Sequence, residues 1–387
     1  MQFAVDFPLE ATRELGRLTR FSLWCISSDG IPAQSIEVLL DGRPAYALRR
    51  SFRPDVGEAY RDFPLAGESG FFGDVLIPPD IETRGGVEIR LVARFRDGKQ
   101  AVLMDRRFTV DQEPPPATAR LRSYRLEDII DDQPDGAAEP CGRRQEILGT
   151  PHFHPAGALP VLNLLETGPT HRYSESCRWV IDSVPNTGIF LDFGCGIKAP
   201  DDICANAVLL DAIHFPNVDV VAGGTRLPFR SSTFDGVISQ AVFEHLPNPR
   251  LAAAELLRIL KPGGLALINT AFLQPLRLDP SHYFNMTSAG LRLVLGGFEI
   301  IDEGSRVGQF PSRSLAMQID SILPWMRRGI WRSRLEELLA ELKSSGGDLD
   351  SDLGPIGRKI LAAGVYALAR KPRQSGVAAN CTSSGRG

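Results

Sequence analysis

The stretch Phe190-Leu-Asp-Phe-Gly-Cys-Gly196 constrains this chain more than any other part of it. A short apolar run carries one carboxylate, Asp192, and passes directly into Gly194 and Gly196. Lacking a β-carbon, glycine lets the backbone bend sharply and lets a ligand lie against the main chain. Such a strand-to-turn passage belongs to an open α/β sheet, whose ligands sit at the carboxyl ends of the strands. From about Leu159 onward, apolar runs of strand length alternate with helix-like segments, which is the pattern of a mostly parallel sheet covered by helices.

The first third of the chain reads differently. Val87, Ile89, Leu91, Ala93 and Phe95 alternate with mostly charged residues, as on a half-buried strand. Asp97-Gly98 then makes a tight turn into a return strand from Ala101 to Met104, and Asp41-Gly42 joins Ser35–Leu40 to Pro44–Leu48 in the same way. With Thr19–Ser27 and Gly70–Ile77 as further strands, residues 1–112 are expected to form a small all-β, immunoglobulin-like sandwich. Pro114-Pro115-Pro116 and the acidic, aperiodic run from Glu127 to Pro140 predict a linker over 113–158, with at most a short helix. The α/β domain is expected over 159–310, a helical extension over 311–372 and a disordered tail over 373–387. The uniformly apolar run Ile360–Ala369 is far shorter than the ~20 residues that span a bilayer, so it is read as a helix packed on the domain.

At 387 residues, 43% hydrophobic and 23% charged, the chain has the length and balance of a globular protein of two domains. A formal net charge of -4 gives no global basic field, which argues against nucleic acid as the partner. The opening residues carry Asp6 and Glu10 and no long apolar core, unlike a secretory signal or transit peptide, so a cytoplasmic location is expected. No transmembrane segment is expected, while peripheral membrane contact stays open. Cys25, Cys141, Cys177, Cys195, Cys204 and Cys381 show no CxxC spacing and are read as reduced, with no metal site. His152 and His154 are read as loop residues, and Asn380-Cys-Thr382 matches a glycosylation sequon only formally.

Three ligands compete for the glycine turn. A phosphate loop needs Gly-Lys followed by Ser or Thr, and Gly196-Ile-Lys-Ala199 fails that test. A dinucleotide fold fits the spacing GxGxxG/A, but Pro200 stands where the phosphate-binding helix should be under way, and Asp211 comes earlier than the roughly 20-residue spacing expects. The third is S-adenosylmethionine. Asp192-x-Gly194-x-Gly196, the strand Val208–Asp211 ending in an acid, Leu227-Pro-Phe229 before Phe234–Ser239, and Leu260-Lys-Pro-Gly-Gly264 before the strand Leu265–Thr270 follow one another in order. This series resembles the class I S-adenosylmethionine-dependent methyltransferases, in the branch called methyltransferase type 11, over residues 160 to 308. The resemblance implies a Rossmann-like, mostly parallel seven-stranded sheet.

It also implies a set of site residues. Gly194, Cys195 and Gly196 would pass beside the methionine part of the cofactor, and Asp211 would accept hydrogen bonds from the ribose hydroxyls. Asp192 would orient the loop or meet the cofactor's ammonium. Gly223, Gly224, Thr225 and Gln240 complete the cofactor set. Where the family commonly has Gly-Asp-Ala, this chain has Ala222-Gly223-Gly224, so Gly223 removes an adenine contact at a cost of about 1.5 to 3 kcal/mol. The segment between Gly196 and Ala207 is also short for the usual first helix. Histidine suits deprotonation of an acceptor alcohol, and His282 and His245 are the candidate bases. Tyr283, Phe284 and Asn285 are expected to shape the acceptor pocket. The activity so implied is methyl transfer to a hydroxyl, less readily an amine, of a small molecule or glycan, as in bacterial surface-polysaccharide synthesis, with the β-sandwich free to dock a protein. The rival readings are a degenerate methyltransferase fold serving binding or assembly, and a nicotinamide-dependent oxidoreductase.

Overall fold

The computed structural model describes residues 1–78, 86–110, 122–131, 143–155, 158–165, 168, 172–276, 281–306 and 308–373. The triproline run, most of the acidic linker, Cys141, Asp279, Pro280, Cys381 and the sequon lie outside them. Cys25, Cys177, Cys195 and Cys204 are free thiols.

The amino-terminal strands are β1 (Gln2–Phe7), β2 (Glu14–Leu15), β3 (Leu18–Ile26), β4 (Ser35–Leu40), β5 (Arg43–Ser51), β6 (Gly70–Leu76), β7 (Val87–Arg94) and β8 (Gln100–Val110), with a short helix α1 (Pro54–Ala59) between β5 and β6. Both hairpins form where the turns predict them. Asp41 and Gly42 take φ of 46° and 76°, the left-handed pair that matches strand twist in a two-residue turn. The strands join in one curled sheet, ordered β1-β3-β6-β5-β4-β7-β8-β2, rather than in two stacked ones. The reason lies in β5, whose first part pairs with β4 while Arg49–Ser51 pair with β6, carrying the sheet round a bend. Alternate residues of β3 and β4, including Phe21, Leu23, Ile36 and Val38, fill the enclosed core.

The second sheet contains β9 (Arg143–Ile147), β10 (Thr150–His154), β11 (Phe190–Phe193), β12 (Ala207–Asp211), β13 (Val220–Ala222), β14 (Phe234–Gln240), β15 (Leu260–Ala271), β16 (Glu299–Gly304) and β17 (Gly364–Arg370). Its order is β16-β17-β15-β14-β11-β12-β13-β10-β9. Strands β10 to β15 run parallel, and β17 is inserted antiparallel between β15 and β16. The chain leaves β11 toward β12 and β13 on one side, then returns to place β14 on the other. That reversal opens a crevice at the carboxyl ends of β11 and β14. Helices α2 (Leu126–Ile129), α3 (Cys177–Ile181), α4 (Pro249–Ile259) and α5 (Ser288–Val294) are followed by α6 (Pro311–Ile322), α7 (Ile330–Asp352) and α8 (Gly354–Ile360). Asn248 and Thr287 cap α4 and α5, accepting from the N–H of Leu251 and Gly290 at 3.3 and 3.0 Å.

Two expectations are corrected here. Residues 364–370 are not a helix packed on the domain but β17, a strand inside the sheet with β16 as its outer neighbour. Val365 and Ala367 enter the core on one face, Tyr366 and Leu368 on the other. A strand buried on both faces has no alternation to show, so its composition alone does not separate it from a helix. Likewise the linker contributes a hairpin, since β9 and β10 extend the sheet to nine strands and put His152 and His154 on a strand instead of a loop.

Residues 158–165 strap the two sheets together. Leu162 O accepts from Asp74 N of β6 at 2.9 Å, while Val161 O accepts from His214 N at 3.0 Å. Arg20 binds the buried carboxylate of Asp74 at 2.8 Å and Asn163 Oδ1 at 2.6 Å.

Candidate functional site

All four residues of β11 are buried, and Asp192 is 1% exposed. Beyond them Gly194 and Gly196 adopt φ of 73° and 55°, and a β-carbon on Gly194 would stand 2.3 Å from Val242 Cγ2. The turn therefore needs glycine both for its backbone and for its space. It is tied to the end of β12. Gly194 N and Cys195 N both donate to Leu210 O, at 2.8 and 3.0 Å, and Gly196 N donates to Asp211 Oδ2 at 2.9 Å. Ile213 N donates to the other carboxylate oxygen at 3.0 Å, which fixes the half-buried Asp211 at the strand tip. Burial pushes its carboxyl above the usual carboxylate range, against the opposing pull of those two N–H groups. The Cys195 side chain points away into the core, where burial holds its thiol well above the usual value, so only its main chain belongs to the turn.

Asp192 has partners that the sequence did not announce. Tyr173 Oη donates to its Oδ2 at 2.8 Å, and Lys198 Nζ lies 3.1 Å from the same oxygen and 4.3 Å from the centre of the Tyr173 ring. Both charged side chains are almost fully buried. Burial, with Asp192 beside it, raises the Tyr173 phenol above its ordinary value. Asp192 is thus engaged within the framework of the turn. Lys198 could have been suspected from its place two residues after Gly196, where an ammonium must either fold back over the turn or enter the ligand crevice.

After β13, Gly223 is exposed, and a β-carbon there would meet nothing within 4 Å, whereas one on Gly224 would come 2.7 Å from Leu246 Cδ2. Gly223 thus leaves open room, next to Thr225. The Gln240 Oε1 atom at the end of β14 is buried with no hydrogen-bond partner among the described residues, whereas Lys198 Nζ has the Asp192 carboxylate as its ion-pair partner. Buried polar atoms left unpaired in this way are costly unless a ligand or water meets them.

The two candidate bases meet across the crevice mouth. His245 ends a helical turn, Phe243–His245, that follows β14, and its ring centre lies 5.6 Å from that of His282. Backbone bonds hang the His282 loop on this turn, with Tyr283 N donating to Glu244 O at 2.7 Å. His245 Nδ1 faces Ser281 O at 3.0 Å, and His282 Nε2 faces Phe284 O and Asn285 Oδ1, each at 3.1 Å. A carbonyl oxygen only accepts, so the proton of His245 is held on Nδ1, making Nε2 the acceptor atom. Asn285 donates to Gln274 O at 3.0 Å and lines a cleft of about 430 Å³ with Phe272, Gln274, Gln318 and Ile322. Tyr283 and Phe284 are 52% and 41% exposed and are absent from that lining, because the bonds of Glu244 O to their N–H groups turn this part of the loop outward. Helix α6, which supplies Gln318 and Ile322, was not foreseen as part of the site.

Residues 191–268 match the family described as methyltransferase domain, and they span the glycine turn, β12 to β14 and most of β15. The second domain has the class I methyltransferase fold. The open room at Gly223, the tip carboxylate of Asp211 and the unpaired Gln240 Oε1 fit the polar nucleoside of S-adenosylmethionine, the cofactor of that fold. An uncharacterized methyltransferase of Mycobacterium sp. (strain KMS) is 38% identical over 88 residues, covering 22% of this chain and 32% of that protein. One of Mycobacterium tuberculosis (strain ATCC 25177 / H37Ra) is 37% identical over 83 residues, covering 20% and 33%. The chain thus spans about a third of the length of these relatives. The solved phosphoethanolamine N-methyltransferase 2 of Haemonchus contortus aligns over 48% of this chain and 49% of its own at 18% identity, but a TM-score of 0.31 carries no weight for this methyltransferase domain.

Because the space beside Gly223 is open and its φ lies outside the left-handed region, Gly223→Asp is expected to fold normally. Restoring a carboxylate there should tighten S-adenosylmethionine binding about tenfold or more, the equivalent of one charge-assisted hydrogen bond. Titration calorimetry on the two proteins checks this, and equal or weaker binding by the variant would remove Gly223 from the adenine site.

Proposed function

We propose that this protein transfers a methyl group from S-adenosylmethionine to the oxygen of a hydroxylated small molecule or glycan, with an amine nitrogen as the lesser alternative. The observation that carries the reading is the His245–His282 pair, held by carbonyl oxygens at the mouth of the crevice. The cofactor supplies a methyl carbon already activated by a positive sulfur. Positioning then provides much of the acceleration, and no enzyme nucleophile is needed. Asp211 holds the ribose hydroxyls, and the Gly194–Gly196 turn, braced from beneath by the Lys198–Asp192 ion pair, lets the main chain approach. Thr225 and Gln240 bound the base. His245 Nε2 takes the proton from the acceptor hydroxyl, His282 braces the acceptor loop, and Asn285 with α6 shapes the pocket. The curled β-sheet, read as an immunoglobulin-like module, offers a surface for a glycan or a protein partner, which supports a place in surface-polysaccharide assembly inside the cell by analogy of architecture.

The test pairs calorimetry with mass-shift assays on hydroxylated and amine acceptors. His245→Gln should lower kcat about 10²- to 10⁴-fold while S-adenosylmethionine affinity stays unchanged, as for loss of a general base. An unaffected kcat would transfer the role to His282 or to solvent. The second reading, a fold retained for binding or assembly, is favoured by Lys198 seated on Asp192 and by the bare Gly223. Absence of heat with millimolar S-adenosylmethionine would select it.

A further inference from the structure

Between Ile322 and Arg334 the sequence ILPWMRRGIWRSR carries four arginines and no acid, in a chain whose net charge is -4. This run forms the corner between α6 and α7. Helix α6 ends at Ile322, a tight turn covers Leu323–Trp325, and α7 begins at Ile330. The corner is anchored, not loose. Leu323 packs with Ala316, Ile319 and Leu339, and Arg332 Nη1 donates to Leu323 O and Met326 O at 2.8 and 2.9 Å. The Trp325 ring rests 5.3 Å from that of Phe52 in the curled sheet domain.

What the anchored corner exposes is apolar and cationic together. Trp325, Ile330 and Trp331 are 58%, 65% and 65% exposed, and Ile322 is 47% exposed. Arg327, Arg328 and Arg334 are exposed beside them and form no ion pair with any described residue. Of the flanking acids, Glu336 is engaged by Arg332 and Asp320 by Lys343, which leaves Glu337 as the one exposed carboxylate beside three arginines that form no ion pair with a described residue. Exposed tryptophans and isoleucines set among arginines match the interface of an anionic bilayer, where indole rings lie at headgroup level and each basic side chain gains from the surface charge. Two copies of this protein meeting through the same corner would instead oppose their arginines, so charge disfavours self-association there.

We infer that the α6–α7 corner docks on an anionic lipid surface. Ile322 belongs both to this corner and to the lining of the cleft that holds Asn285, so docking would bring the cleft against the headgroups. The docking stands on the surface alone. The consequence that the methyl acceptor is carried at the membrane interface rests on the methyl-transfer reading.

The test uses the full chain and unilamellar vesicles of phosphatidylcholine, alone or mixed with phosphatidylglycerol. Co-sedimentation with the mixed vesicles only, weakened by salt and accompanied by a blue shift of tryptophan emission, is the expected result; two of the protein's four tryptophans lie at this corner. The double variant Arg327→Glu/Arg328→Glu should lower partitioning about tenfold or more, and Trp331→Ser should lower it further. Their S-adenosylmethionine binding, measured by calorimetry, should match wild type, so failure to dock and failure of the cofactor site are read separately. The inference is overturned by equal sedimentation with neutral vesicles, by no sedimentation at low salt, by variants that bind vesicles as wild type does, or by a lipid-free dimer that Trp331→Ser dissociates.

Discussion

Asp211→Asn is expected to weaken S-adenosylmethionine binding by about a hundredfold or more, roughly 3 kcal/mol, as charged acceptor bonds to two ribose hydroxyls are lost. In the folded protein the carboxylate already accepts from Gly196 N and Ile213 N, one on each oxygen. Its remaining lone pairs, at a half-buried strand tip, are those a sugar diol would meet. The amide variant keeps one acceptor oxygen and the shape of the side chain, so thermal stability should change little. Removing a carboxylate that burial disfavours offsets part of the cost to the turn. Because burial raises the Asp211 carboxyl, wild-type affinity should also decline as pH falls through that raised value, and the decline should vanish in the variant. Calorimetry across mildly acid pH measures both effects. Wild-type affinity in Asp211→Asn would sink the cofactor placement.

Acid lability is the second large effect. His152 Nε2 lies 3.0 Å from His214 Nδ1, and His152 Nδ1 lies 3.1 Å from His154 Nε2, so three imidazoles form one hydrogen-bonded row. The strap at Val161–Asn163 is paired with His214, which places the row where the curled sheet meets the methyltransferase domain. His152 and His214 are 0% and 4% exposed, and burial lowers them from 6.5 to about 2 and about 4. Their neutral forms are native, while the unfolded chain binds a proton at each below its ordinary pKa. The stabilisation is therefore complete above pH 6.5 and lost as pH falls from 6.5 toward the folded values. Two such groups give about 2.7 kcal/mol per pH unit, or about 5 kcal/mol between pH 6.5 and 4.5, comparable to the whole stability of many domains. Urea unfolding at stepped pH would show this limb. In His152→Gln the slope should drop by about 1.4 kcal/mol per pH unit, and an unchanged slope would assign the acid sensitivity to carboxylates instead.

The parts of this protein that could be read from its sequence are those decided within a few residues. The glycine turn at 194–196 sits where an apolar strand ends, the hairpins turn at Asp41-Gly42 and Asp97-Gly98, and Asn248 and Thr287 cap the helices they precede. In each, one local rule of backbone freedom or donor satisfaction suffices, and Asp211 at a strand tip follows from the same apolar run. Residues whose roles depend on a distant partner could not be read. His152 and His154 have no third histidine nearby in the chain, yet His214 joins them across parallel pairing of β10 with β13. Residues 364–370, some 170 positions after β11, complete the sheet because both their faces are apolar and a slot covered on both faces remained between β15 and β16.

The sequence by itself determined the α/β class, the position of the glycine turn and the acid that stands beside it, because strand length, glycine and carboxylate act locally. Tertiary structure alone decided that Lys198 folds back onto Asp192, that α6 walls the cleft holding Asn285, and that tryptophans and arginines share one projecting corner. Those outcomes depend on which surfaces remain to be covered after the sheets have paired, and that is a property of the whole packed chain.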